Sequence, residues 1–206
     1  MHAAVPQPRN ARRGIRLAWG RFRLLWQAGY RASVLYVAFL RNVNQGQQGH
    51  PSTTMVVESF VAAGSDDAVP FQSNGTIVFD AQEADGIIAA VVATLAARGH
   101  PRDCFVMPVS DLARIAQAWA GSPLLSRLEL TMHDAGTLDL QSELAVAEAG
   151  RRRCRPMESG PGWVVVLNDR DRESNGTPAV EHAIAGPATS RSLRTVLRLL
   201  DRHARP

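Results

Sequence analysis

SVLYVAFLRNVNQGQQGHPSTTMVVESFVAAGSDDAVPFQSNGTIVFD, Ser33 to Asp80, contains the first readable change of hydrophobic period in the chain. Its opening run, Ser33 to Leu40, is β-branched, aromatic and short, and the polar, turn-rich segment Arg41 to His50 ends it. That pattern predicts a buried central strand. Pro51, Ser52 and Thr53 then supply a helix start, and Met55, Val56, Phe60 and Val61 form an apolar stripe before Gly64 stops it. Val69 to Gln72 and Thr76 to Phe79 flank Ser73-Asn74-Gly75. Asn-Gly tolerates the positive φ of a tight turn, so these two runs are expected to pair as a hairpin.

Downstream, Ala81 to Arg98 predicts a helix with Ile87, Ile88, Val91, Val92 and Leu95 on one face, and Cys104 to Val109 returns as a strand. The order β-α-β-β-α-β is the ferredoxin-like split βαβ arrangement, a four-stranded antiparallel sheet covered by two helices. Asp111 to Ala120 then reads as a helix capped by Ser110, Leu128 to Met132 as a strand, and Leu138 to Ala149 as a helix. Trp163 to Leu167 reads as a strand after Gly160-Pro161-Gly162, and Arg191 to His203 closes the chain as an amphipathic helix through Leu193, Val196, Leu197 and Leu200. The expected class is α+β, with three segments: a basic N-terminal extension over 1–32, helical or disordered; a first ferredoxin-like unit over 33–110; and a second, divergent α+β half over 111–206. That second half repeats the alternation without a clean copy of the first. One four-residue echo, Ser73-Asn74-Gly75-Thr76 and Ser174-Asn175-Gly176-Thr177, falls within chance for turn residues and reads as two turns.

The formal charge of +4 hides an asymmetry. No acidic residue precedes Glu58, whereas eight arginines do, so the remainder holds 15 basic residues against 19 acids and is mildly acidic. A basic pI raises the prior for nucleic acid or anionic lipid, but here the excess belongs to the extension. Within it, Ala11 to Ala28 places Ile15, Trp19, Phe22 and Trp26 on one helical stripe beside Arg12, Arg16 and Arg23. That stripe suits a membrane surface or partner protein, a docked helix covering part of the domain, or translated sequence upstream of the true start. Arginines interrupt every apolar run, so neither a secretory signal nor a transmembrane span is expected. Cys104 and Cys154 lie far apart with no metal-ligand spacing, which predicts reduced thiols and a cytoplasmic location.

Tyr36-Val37-Ala38-Phe39-Leu40-Arg41, followed by Asn44, Gly46, Met55, Gln72-Ser73 and Val78-Phe79, resembles the bacterial family catalogued as domain of unknown function 1697. Ala188-Thr189-Ser190-Arg191-Ser192-Leu193-Arg194-Thr195-Val196 is similar to that family's closing segment. The resemblance implies two ferredoxin-like halves and implies no activity. This chain departs from the family at distinctive positions: Asn42 where a glycine follows the arginine, Gly46-Gln47 for a double glycine, Ser73-Asn74-Gly75 for Ser-Gly-Asn, and Ser192-Leu193 for Asn-Trp.

The densest polar cluster is Arg41 to His50, running from a strand end to a helix start. Backbone N–H groups at that helix terminus, with the charge of Arg41, suit a phosphate or carboxylate, and Asn44 and the glutamines suit a base or amide. The alternative is a solvated loop whose Arg41 and Asn44 tie only its own backbone. Arg191, Ser192 and Thr195 begin the last helix; they either face this loop across packed halves or cap the helix through Ser190 or Thr189, with Arg191 and Arg194 in solvent. The candidate ligand-binding residues are thus Arg41, Asn44, Gly46, Ser73, Asn74, Arg191 and Thr195. His50, His100, His133 and His182 show no zinc spacing, neither cysteine has a base near it in sequence, and no serine lies in G-x-S-x-G. Arg151-Arg152-Arg153-Cys154-Arg155 lacks interleaved aromatics and reads as a charged strand edge, giving no strong nucleic-acid signal. The functional expectation is a non-enzymatic binding module for a small anionic or nucleotide-like ligand at loop 41–50, without metal or cofactor. Two other classes stand beside it: an interaction module using a sheet face or the N-terminal helix, and, last, an enzyme.

Overall fold

In the computed structural model, which describes residues 33–44 and 46–203, β1 (Val34–Leu40) is flanked on both sides. It pairs antiparallel with β3 (Thr76–Ala81), Tyr36 opposite Phe79, and with β4 (Cys104–Pro108), Val37 opposite Met107. A central strand has two faces to bury, which explains its unbroken apolar run. Val37 and Phe39 face one core cluster, while Ala38 and Leu40 face another.

The second cluster is closed by α1 (Thr53–Ala62) and α2 (Ala84–Ala97), which contribute Val56, Phe60, Ile88, Val91 and Leu95. Ser52 caps α1 by accepting from the Met55 N–H at 3.1 Å, as expected for a serine there. The hairpin of β2 (Val69–Gln72) and β3 turns through Ser73-Asn74-Gly75, with Gln72 opposite Thr76 and only Gly75 at positive φ, +73°. A side chain at Gly75 would meet Val43 Cβ at 2.8 Å and Leu40 Cβ at 3.0 Å, so glycine is demanded twice over.

The second half contains β5 (Leu128–His133), α4 (Glu143–Arg151), β6 (Cys154–Gly160), β7 (Trp163–Asn168), α5 (Gly176–Ile184) and β8 (Ala188–Ser192). Its sheet order, β6-β7-β5-β8, repeats the first half's β2-β3-β1-β4 position for position. The second half is therefore a true topological copy, and both halves have the ferredoxin-like order. A further helix follows each: α3 (Val109–Trp119) and α6 (Leu193–His203).

These two helices explain how the halves join. One core gathers Val37, Phe39 and Met107 from the first sheet, Leu130, Met132 and Val165 from the second, Leu112 and Ile115 from α3, and Leu193, Val196 and Leu199 from α6. Each such large apolar side chain contributes roughly 1.5–3 kcal/mol on burial. Both sheets are thus packed on both faces among the described residues. The N-terminal stripe of Ile15, Trp19, Phe22 and Trp26 lies outside the described residues.

Several local expectations are corrected. Ser110 lies inside α3, whose N-cap is Pro108 without a side-chain bond. α4 starts at Glu143, capped by Ser142, because Leu138 and Leu140 pack from irregular backbone instead of extending the helix. Thr189 and Ser190 belong to β8, and it is Ser192 Oγ that accepts the Thr195 N–H at the start of α6. Ser174-Asn175-Gly176-Thr177, expected as a turn, leads into α5, which starts at Gly176 with Asn175 as N-cap. The Arg151 to Arg155 run does lead into an edge strand, β6, with a register shift at Pro156.

Candidate functional site

The loop after β1 is shaped by backbone before side chains. Asn42 takes φ +51°, a left-handed value that asparagine tolerates better than most residues. Gly46 and Gly49 are also at positive φ, and the Asn44 N–H donates to His50 Nδ1 at 3.1 Å.

Arg41 does not present a free charge from this loop. Its Nε and Nη2 donate to Glu181 Oε1 of α5 at 2.8 and 2.6 Å, and Nη1 reaches Asp103 Oδ2 at 3.4 Å. Two carboxylates therefore neutralise it, one of them from the other half. Arg41 lines a hollow of about 380 Å³ together with Arg102 and Asp103.

Arg191 behaves differently. Paired opposite Leu130, it lies on the face of β8 that meets the first half. Nε donates to Thr76 Oγ1 at 3.0 Å, and Nη2 to the carbonyls of Asn74 at 2.7 Å and Leu40 at 3.2 Å. Nη1 donates to Thr189 Oγ1 at 3.0 Å and to its neighbour Ser190's carbonyl at 2.8 Å. All five guanidinium N–H donors are thus filled by neutral acceptors. The cation sits 5.7 Å from the Phe39 ring centroid, half-buried, with no carboxylate partner among the described residues. Burial lowers its pKa to about 10, so it remains protonated at neutral pH. Arg191 is a clasp between the halves whose positive charge is not balanced by a carboxylate among the described residues.

That charge lines a cleft of about 530 Å³ between the halves. Of the residues expected from sequence, Asn44, Asn74, Arg191 and Thr195 line it, while Arg41, Gly46 and Ser73 do not. No residue of the first turn of α1 lines it either. The remaining lining is strongly polar. Arg127 uses Nε on the Asn168 carbonyl at 2.7 Å, and its Nη groups find no acceptor among the described residues. Arg172 is exposed at φ +66° without a hydrogen bond or ion pair among the described residues. Glu173 is engaged by Arg153 at 2.9 Å, whereas Glu129, among the described residues, takes only the Gly176 N–H at 3.1 Å.

The second-half wall arises from an unusual strand. In β5, Leu128, Leu130 and Met132 face the shared core, while the alternate residues Glu129, Thr131 and His133 face α5 and are only 5, 0 and 4 % exposed. Thr131 and Thr177 both bond Ser190 Oγ at 2.8 Å. A Cβ at Gly176 would lie 2.6 Å from Thr131 Oγ1 and 3.0 Å from Glu129 Oε2, so the helix start can seat there only as glycine. Sequence reasoning missed Arg127, Glu129, Arg172 and Thr177. The strict alternation in Leu128-Glu129-Leu130-Thr131-Met132-His133 was a signal for Glu129 alone, and it reads equally as a solvent-facing polar row.

Neither thiol offers a nucleophile. Burial raises Cys104 to about 12 and Cys154 to about 11, leaving both protonated at neutral pH. Among the described residues no cluster of three metal-ligating side chains is present, and no helix is long and apolar enough to cross a membrane.

The arrangement defines an α+β protein of two ferredoxin-like halves with a cationic cleft between them. It is similar to the conserved bacterial protein SP0830 from Streptococcus pneumoniae, at 12% identity and TM-score 0.53 over 82% of this chain and 97% of that one. No family model matches the sequence, and no curated protein matches it. The likeness shows the fold alone.

Proposed function

We propose that this protein is a non-enzymatic binding module that holds a small anionic, nucleotide-like ligand in the cleft between its halves. One observation carries the reading: among the described residues, the half-buried Arg191 has no carboxylate partner and lines a polar cleft beside the free Nη groups of Arg127 and the unpaired Arg172. A cation removed from water without a counter-charge favours an anion beside it. Because the donors of Arg191 are all engaged, it contributes field, and Arg127 and Arg172 supply the direct contacts. The cleft volume lies in the range of small-ligand sites.

Thermal melts with inorganic phosphate and a panel of nucleotides test this. The expected result is a concentration-dependent rise that Arg172→Ala removes while leaving the unliganded melt unchanged. No rise with any anion, or a rise indifferent to Arg172, defeats the proposal.

The same reading makes the chain a divergent member of the bacterial family of domain of unknown function 1697, working in the reducing cytoplasm. Its support is the Tyr36 to Arg41 motif, the Gln72-Ser73 hairpin, the positive φ at Asn42, and two free cysteines.

A further inference from the structure

Arg172 lies in the loop of residues 169–175, between β7 and α5, at φ +66°, a left-handed value that an arginine takes only at a cost. Its side chain recovers none of that cost from the described residues. It is exposed, forms no hydrogen bond or ion pair with them, and lines the cleft. Such a conformation persists only where the surrounding structure over-determines it.

The surroundings of Arg172 meet that condition. The neck of the loop is closed by the buried Asn168, whose Oδ1 accepts the Asn175 N–H at 3.0 Å. Asn168 also fixes Arg127 twice: Nδ2 donates to the Arg127 carbonyl at 3.2 Å, and the Asn168 carbonyl accepts from Arg127 Nε at 2.7 Å. Between the two ends of the neck, the Asp169 N–H donates to the Arg153 carbonyl at 3.0 Å and Asp171 Oδ1 accepts from Ser126 Oγ at 2.6 Å. Glu173 is held by Arg153 at 2.9 Å. Arg172 therefore stands between two anchored neighbours, and of the loop's two arginines it alone lines the cleft.

We infer that loop 169–175 is a preorganised anion grip, in which Asn168 and Asp171 are positioning residues that hold the backbones of Arg127 and Arg172 in place before any ligand arrives. A guanidinium whose backbone is already fixed loses less freedom on binding, so the ties of the loop are read out as affinity. The left-handed φ of Arg172 is the strain that this display stores. The inference rests on the anion-binding reading above and adds the residues that position its contacts.

Isothermal titration of the full chain with inorganic phosphate tests it, on the wild type, Asp171→Asn and Asp171→Ala. Both variants lose the same negative charge, which by field alone tightens an anion, and only the asparagine keeps an acceptor for the Ser126 hydroxyl. The alanine variant is expected to bind phosphate at least roughly threefold more weakly than the asparagine variant. A second measurement reads the strain. Arg172→Gly is expected to lose phosphate binding yet to raise the unliganded Tm by about 1–3 °C, because glycine adopts positive φ freely. Equal affinity in the two Asp171 variants, with the wild type still binding, overturns the grip and leaves the anion site standing. A Tm for Arg172→Gly at or below that of the wild type overturns the strained display and the grip with it. Phosphate binding undiminished in Arg172→Gly overturns both the grip and the anion site as assigned. No phosphate binding by the wild type overturns the grip, and the anion reading falls too when no nucleotide binds.

Discussion

Replacing Arg191 with alanine removes five hydrogen bonds at once, three of them to the carbonyls of Leu40, Asn74 and Ser190 and two to the hydroxyls of Thr76 and Thr189. Bonds from a charged donor contribute roughly 1.5–3 kcal/mol each before costs. Two effects reduce the sum. The guanidinium itself is poorly solvated, as the fall of its pKa to about 10 shows, so its removal relieves a desolvation penalty. The hydroxyls can also rotate toward each other. No carboxylate is stranded, so the loss falls at the lower end of what breaking a buried charged network costs, about 2–4 kcal/mol. For a domain of this size that corresponds to a fall in Tm of roughly 5–15 °C. Arg191→Lys keeps the charge but cannot fork between Asn74 in one half and Ser190 in the other, so it is expected to recover less than half of the loss. A thermal melt by circular dichroism measures both variants. A fall under about 2 °C for alanine would refute the clasp and leave Arg191 as an ordinary solvated residue of β8.

Arg41→Ala is expected to lower stability by about 1 kcal/mol, and a double-mutant cycle with Glu181→Gln to show a coupling that shrinks in high salt, because both side chains are partly exposed. Gly75→Ala, forced into φ +73° against Val43, should cost about 2–4 kcal/mol in urea unfolding, whereas Gly46→Ala, at φ +94° with open space around it, should cost about 1 kcal/mol. The raised thiol pKa values stabilise the fold fully below the ordinary 9.0; that contribution should fade as pH rises toward about 11–12, and native protein at pH 8 should resist iodoacetamide that labels the unfolded chain. Burial lowers the pKa of His133 against the opposing pull of Asp134, so its contribution is present above the ordinary 6.5 and lost as pH falls; His133→Asn, which can still accept the Ala135 N–H, should lessen the drop in Tm between pH 7.5 and 5.5.

The first half was legible because its local signals agree with its tertiary needs. The strand β1 is apolar on both faces, Ser52 caps where a serine should, and Gly75 turns where Asn-Gly predicts. In the second half they diverge. The strand β8, Ala188-Thr189-Ser190-Arg191-Ser192, has no apolar alternation and is a strand only because β5 pairs with it. Its polar character comes from lining the cleft, so the residues that obscured the element are those that give it chemical interest. The charge expected of Arg41 in its loop is instead paired, and the sequence did not reveal this because the partners of Arg41 lie 62 and 140 residues away, beyond any local window. The repeated Ser-Asn-Gly-Thr makes the same point within one chain. At Gly75 the absent side chain admits Val43 and Leu40; at Gly176 it admits Thr131 and Glu129. One copy is a hairpin and the other a helix start, so the four residues do not specify a conformation. What they share is a close approach by a neighbouring element, and both approaches bring a wall of the same cleft into place: Asn74 holds Arg191 through its carbonyl, and Gly176 holds Glu129 through its N–H. An alanine at either glycine should therefore disturb the cleft as well as the fold, and at Gly176 it should shift the Glu129 carboxylate, whose Oε2 lies 3.0 Å from the position of the added Cβ.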